Sequence, residues 1–217
     1  AAQKFFARVD NEAYFNPQRS HKLIKEATQL GSLLGTRLNT LRVRGESMKK
    51  TLGELHTVME KKEPGIYLFG DVGGGLFFSN NLGGYLGSSR YRATSETVRI
   101  GAAGKNAAGL SWSVSIDGGH VSSKSRHTVL SATGKQNIFG LSLSVGKRFE
   151  KTTFAMNGSV GHSRGKITSS LPGSMQMDKL KTRVPETLFN VGGDVAYALT
   201  EELSIAASPQ LWVFPKA

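Results

Sequence analysis

Leu110-Ser111-Trp112-Ser113-Val114-Ser115-Ile116-Asp117 alternates without a break: Leu, Trp, Val and Ile at the even positions, Ser, Ser, Ser and Asp at the odd ones. Successive side chains of an extended strand point to opposite faces, so this stretch reads as a strand with one apolar and one polar face. Phe139-Gly140-Leu141-Ser142-Leu143-Ser144-Val145-Gly146 repeats the pattern, and so does Phe189 to Leu199. Looser alternation covers 66–78, 97–103, 153–162 and 203–214, giving about seven strands.

The polar face is unusual for a soluble sheet. Ser111, Ser113, Ser115, Gly140, Ser142, Ser144, Asn190, Gly192, Ala196 and Ala198 are all small. Solvated strand faces usually carry charged and larger polar side chains, which also discourage edge pairing. A face of small residues implies that something else crowds it. Two architectures remain open at this point. In a β-sandwich the apolar face packs on a second sheet. In a membrane barrel it meets lipid and the polar face lines a lumen. The expected fold class is mainly β: an antiparallel transmembrane β-barrel preceded by an α-helical segment. The connections after Phe149 and Leu199 are tight and polar, whereas those after Gly119 and Gly165 read as long, Ser/Thr-rich and charged. Short turns at one end and long loops at the other is the outer-membrane barrel arrangement.

Upstream of the strands the composition changes. The chain has 217 residues and 26 Gly, of which residues 1–63 hold only Gly31, Gly35, Gly45 and Gly53. Leu23, Ile24, Leu30, Leu33, Leu34, Leu38, Leu41, Met48, Leu52, Leu55, Val58 and Met59 recur at three- and four-residue steps, the period of an amphipathic helix. Ser20 is the expected N-cap, and Lys61-Lys62-Glu63-Pro64-Gly65 ends the run. Two regions follow: 1–63, an N-terminal extension and amphipathic helix threading the lumen, and 64–217, the barrel strands.

Composition excludes several classes. There is no Cys, so no disulfide, thiolate metal site or cysteine nucleophile exists. No run of 18 apolar residues forms a transmembrane helix. No apolar segment follows a basic start, so Ala1 reads as the start of a mature chain or a fragment. Lys and Arg number 28 against 16 Asp and Glu, a formal charge of +12. That balance suits nucleic acid or an anionic surface. The competing reading is therefore a soluble basic β-sandwich or barrel acting as a binding module for such partners. Aromatic residues are not interleaved with the cations at a stacking spacing, so nucleic acid is not favoured.

The chain resembles the β-domain of autotransporters, the type V secretion proteins of Gram-negative bacteria. Gly35-Thr-Arg37-Leu38-Asn-Thr-Leu41-Arg42 stands for the family's helix signature, and Gly65-Ile-Tyr67-Leu-Phe69-Gly70 for its first strand. Glu186 to Leu199, followed by Ser208-Pro209-Gln210-Leu211, is similar to its glycine-tyrosine strand and the Pro-Gln strand after it. The resemblance implies a barrel in the outer membrane of a Gram-negative bacterium, a helix in its lumen, and export of an N-terminal passenger in cis. Implied partners are outer-membrane lipid, lipopolysaccharide and the barrel-assembly machinery. The family pattern has about five further strands, and an open sheet leaves its edges unsatisfied in lipid, so the β-domain reads as incomplete. Arg37, Leu38, Leu41 and Arg42 are the expected lumen contacts of the helix. Asp117 and Asp194 are the expected lumen-facing partners of its arginines. The family's Asn-Asn cleavage pair lies in the helix; Asn80-Asn81 follows the first strand instead, and no cleavage site is carried over.

No catalytic, cofactor or metal site is expected, and the chain is read as a non-enzyme. Gly161-His162-Ser163-Arg164-Gly165 matches the nucleophile elbow, but that motif needs a strand–turn–helix setting and here runs from a strand end into a loop. Gly161-x-x-x-Gly165-Lys166 and Gly140 to Lys147 lack the spacing of a phosphate loop. Of the histidines His21, His56, His120, His127 and His162, the loop pair His120 and His127 has no carboxylate at ligand spacing, and no two share a helix turn. The Asn157-Gly-Ser159 sequon sits inside a strand.

Overall fold

A computed structural model describes residues 17–80, 90–126, 131–170, 180–200 and 203–215, with the helix side chains from residue 33 onward. One helix, α1 (Pro17–Glu60), precedes eight strands. These are β1 (Gly65–Asn80), β2 (Arg90–Lys105), β3 (Leu110–Arg126), β4 (Ser131–Phe149), β5 (Thr152–Ser170), β6 (Leu180–Ala198), β7 (Ser204–Ala207) and β8 (Gln210–Val213). Each strand from β1 to β6 pairs antiparallel with the next, and β7 and β8 both pair with β6. The last two are one stave interrupted at Ser208-Pro209, since Pro209 has no N–H for the ladder. Among the described residues the result is a single open sheet, not a two-sheet sandwich.

Helix α1 starts at Pro17, three residues before the expected cap; proline suits a first helical position, where its missing N–H costs nothing. It lies along the sheet against β2 to β6. The Lys105 ammonium donates to the Met59 and Lys61 carbonyls at 3.1 and 2.6 Å, and the charge also suits the negative end of the helix dipole. The helix therefore runs from the end of the 81–89, 127–130 and 171–179 connections toward the end of the short turns.

The short turns are 106–109, closed by Gly109 at φ 79°, and the two-residue Glu150-Lys151 link between β4 and β5. The three opposite connections lie outside the described residues. Two expected loops prove to be strand: β3 continues to Arg126 and β5 to Ser170. Period two fades there because the outward face turns polar, as at His120, Ser122, Lys124 and Arg126, while the ladder itself continues.

The sheet is inside out relative to a soluble protein. Ser111, Ser113, Ser115, Ser142 and Ser144 are buried beneath α1, whereas Ile116, Leu141 and Leu143 stand exposed on the other face. Along β4 the outward residues from Phe139 to Phe149 are apolar except Lys147, whose ammonium lies 5.3 Å from the Phe149 ring centre. Ten residues at about 3.4 Å each is ~34 Å, and a strand tilt near 40° projects this to ~26 Å, the height of a barrel's lipid-facing band. Aromatic rings gather at its short-turn edge, where Phe149 and Phe154 meet edge to face at 6.2 Å.

Two edges stay open among the described residues, those of β1 and β7/β8. Antiparallel succession makes them run in the same direction.

Candidate functional site

The site is the contact between α1 and the polar face of the sheet, and it is built by small residues. Arg44 is fully buried there. A methyl added at Gly140 would overlap the Arg44 guanidinium, and one at Gly161 would come within 2.9 Å of Nε. Glycine at these two positions on adjacent strands therefore makes a slot for one arginine. Inside it, Nη1 of Arg44 donates to the Asp117 carboxylate. Nη2 donates to the Leu141 carbonyl and to the Ser142 hydroxyl, both at 3.0 Å. The Ser47 hydroxyl, one helical turn on, donates to the same Asp117 oxygen at 2.7 Å. A buried ion pair endures only when such extra hydrogen bonds satisfy it, and removing one partner strands the other charge.

Polar contacts continue on both sides of the slot. Gln136 donates to Thr40 at 2.7 Å and to the Thr36 carbonyl at 3.1 Å; Thr40 donates to Ser163 at 3.2 Å. Toward the short turns, Thr51 and Ser115 share a hydrogen bond of 2.7 Å, and Ser113 donates to the Thr51 carbonyl at 2.9 Å. Asp71 and Arg99 stand directly opposite on β1 and β2 and are joined at 2.7 and 2.6 Å. Lys50 reaches Asp71 at 2.5 Å, and Arg99 reaches Glu54 at 3.4 Å, so this pair ties the first hairpin to the helix. The contact turns apolar in two places: Val43 packs with Ala93, Val121 and Ile138 on the far side of the slot, and Leu55 and Met59 pack on Ala155 below Thr51.

The expected lumen residues are distributed differently from the sequence reading. Arg37 pairs with Glu186 at 3.2 Å and lies 4.9 Å from the Phe214 ring centre. Arg42 donates to the Leu76 carbonyl at 3.3 Å and lies over Phe77. Asp117 is held by Arg44, and Asp194 by His56 at 2.6 Å with Ser208 also donating to it. Neither aspartate pairs with Arg37 or Arg42. Leu41 is half-buried, and Leu38, 52% exposed, points away from the sheet.

The cause is that the sheet's inner face is polar. From Thr36 to Thr51 the helix therefore turns Thr36, Thr40, Arg44, Ser47 and Thr51 to it; of the apolar stripe, Met48, Leu55, Val58 and Met59 are buried while Leu34 and Leu38 are exposed. Seven residues separate Arg37 from Arg44, two turns on one side of the helix; this polar recurrence was the signal available in the sequence. Ser163, the centre of the elbow-like motif, is buried within β5 rather than at a turn. His120 bonds Asn137 at 2.7 Å, and His162 bonds Thr187 at 3.3 Å. His21 and His127 lie outside the described side chains. Among the described residues no group of three His, Asp or Glu could hold a metal ion, and no helix is long and apolar enough to cross a membrane.

No family model and no curated relative matches the chain. Among solved structures, it is similar to the translocator domain of the autotransporter NalP from Neisseria meningitidis. That likeness has 11% identity, covers 81% of this chain and 76% of that one, and has a TM-score of 0.40. A second is to the ferric yersiniabactin uptake receptor FyuA from Yersinia pestis: 14% identity, 65% of this chain, 24% of that one, TM-score 0.30. Neither likeness assigns a function to the chain.

Proposed function

We propose that the chain is the membrane-anchoring β-domain of an outer-membrane protein of autotransporter type, in which the helix holds the passenger's exit path. The observation that carries this is the inverted sheet: an apolar outward band ~26 Å tall around a polar interior occupied by a charged helix. A soluble sandwich would cover that apolar face with a second sheet. Direction supports export as well. Helix α1 enters from the end opposite the short turns, so a segment fused ahead of it emerges on the side of the 81–89, 127–130 and 171–179 connections, two of which are nine residues long. Lipid leaves no room for open edges. Because β1 and β8 run the same way, antiparallel closure takes an odd number of further strands, as the five implied by the resemblance would be.

The test is expression behind a signal peptide with a protease-sensitive reporter ahead of Pro17. Outer-membrane fractionation, heat-modifiable gel mobility and reporter cleavage on intact cells are then read together. Membrane-bound, heat-modifiable protein with a cleavable reporter is expected. A soluble folded product would remove the membrane reading; a membrane-bound product with a protected reporter would remove export alone.

A further inference from the structure

Outward-facing charges are concentrated on one part of the sheet. Above the apolar band, toward the long-connection end, the strand register sets cations directly across from one another. Arg90 is opposite Arg126, and Arg92 is opposite Lys124. Lys166 stands between Lys135 on one side and Arg183 on the other. All seven are exposed, and none is in an ion pair with a described residue. Glu96 is the one acid among the described residues on this part of the outer face. Like charges directly opposite on neighbouring strands destabilise a sheet. The inner face of the same strands places acid against base instead, as at Asp71 and Arg99. A repeated violation of pairing chemistry on one face only marks a surface completed by an external polyanion.

We infer that this belt binds the phosphates of lipopolysaccharide, a phosphorylated glycolipid, in the leaflet on the long-connection side; the inference rests on the membrane reading above. Two observations select a lipid over a dissolved anion. The belt is continuous with the apolar band, so a ligand with acyl chains below and phosphates above covers both. It also descends from Arg90 to the level of Arg164, opposite Asn137 and in register with Glu96, about 20 Å along the strands at ~3.4 Å per residue. A phospholipid offers one plane of phosphate. A headgroup with phosphates at several depths matches a belt of this height.

The probe is the chain joined to its closing strands, folded in vesicles of phosphatidylcholine alone and of phosphatidylcholine with lipopolysaccharide. The variant Lys135→Gln/Lys166→Gln/Arg183→Gln removes the triple row, and Arg148→Gln/Lys151→Gln removes cations at the short-turn end. The triple variant is expected to insert into phosphatidylcholine as the parent does, and to associate with lipopolysaccharide roughly a hundredfold more weakly. The short-turn variant keeps the parent's affinity. Unchanged association of the triple variant overturns the belt while leaving the barrel intact. Equal association with dephosphorylated lipopolysaccharide overturns phosphate as the ligand. A parent chain that enters no vesicle and instead binds an oligonucleotide through the same three residues overturns both the belt and the membrane reading.

Discussion

The two faces of the sheet obey opposite rules with the same strands. On the inner face small residues admit a helix, and charges meet partners within the chain: Arg44 with Asp117, Arg99 with Asp71, Arg37 with Glu186. On the outer face apolar side chains stand uncovered, and the cations beyond them face one another. A soluble protein hides its apolar side and displays its polar one. Here the polar side is hidden because it binds the helix, which leaves the apolar side for the surroundings. Burial on the inner face therefore depends largely on hydrogen bonds and ion pairs in close quarters, and on the proposed function stability of the outer face depends on the solvent being lipid.

The largest effect should come from closing the arginine slot. Gly140→Val puts branched carbon where the guanidinium of Arg44 lies, and separates it from Asp117. Overpacking and a stranded buried charge together should remove about 3–5 kcal/mol, read as a fall in the unfolding midpoint of the folded domain in detergent. An unchanged midpoint would mean that the helix does not sit in this slot.

Next in size is the apolar band. Leu143→Arg places a cation at the centre of the outward face, where a lipid-facing barrel loses ~2–4 kcal/mol. Tyr197→Arg, near the short-turn edge, should lose only ~0–1 kcal/mol. Folding titrations in lipid vesicles give both numbers. Equal costs at the two depths would show that the outer face is not in a bilayer.

A smaller effect separates the inner pairings. Arg44→Ala and Asp117→Ala should be non-additive by ~1–3 kcal/mol, because each alone leaves the other charge buried. Arg42→Ala with Asp117→Ala should be additive, since Arg42 reaches β1 instead. A coupling between Arg42 and Asp117 equal to that of Arg44 would move the helix by half a turn relative to the sheet.

What was legible in the sequence follows the same division. Strand interiors were plain wherever one face was apolar and the other small, as from Leu110 to Ile116. The strand ends, Gly119 to Arg126 and Gly165 to Ser170, looked like loops because alternation needs one apolar face and the outward face turns polar there. The helix was visible from its period, but its orientation was not. Leucines at 34 and 38 drew attention to the side turned away from the sheet. Around the slot the sheet selects threonine, serine and arginine on the side that it covers, with apolar contacts at Val43 and from Leu55 to Met59. The pairing of Asp117 with Arg44 rather than Arg42 depends on Gly140 and Gly161 lying side by side on β4 and β5, a relation of register that no local motif records.

The uncovered side of the helix gives the smallest effect, and its sign carries the information. Gly45 and Gly53 lie on that side, and a methyl added at either meets nothing within 4 Å. Neither has a positive φ. With this side open, Gly45→Ala and Gly53→Ala should each stabilise the helix by ~0.5–1 kcal/mol, through reduced backbone freedom in the unfolded chain. If further strands close the barrel and approach as tightly as β4 and β5 approach Arg44, the same methyl groups collide with them and the sign reverses. Thermal unfolding of each alanine variant, in this chain and in a longer one that supplies the closing strands, separates the cases. Stabilisation in the first and destabilisation in the second would locate the added strands against Gly45 and Gly53. Stabilisation in both would place those strands farther from the helix and leave a channel beside it.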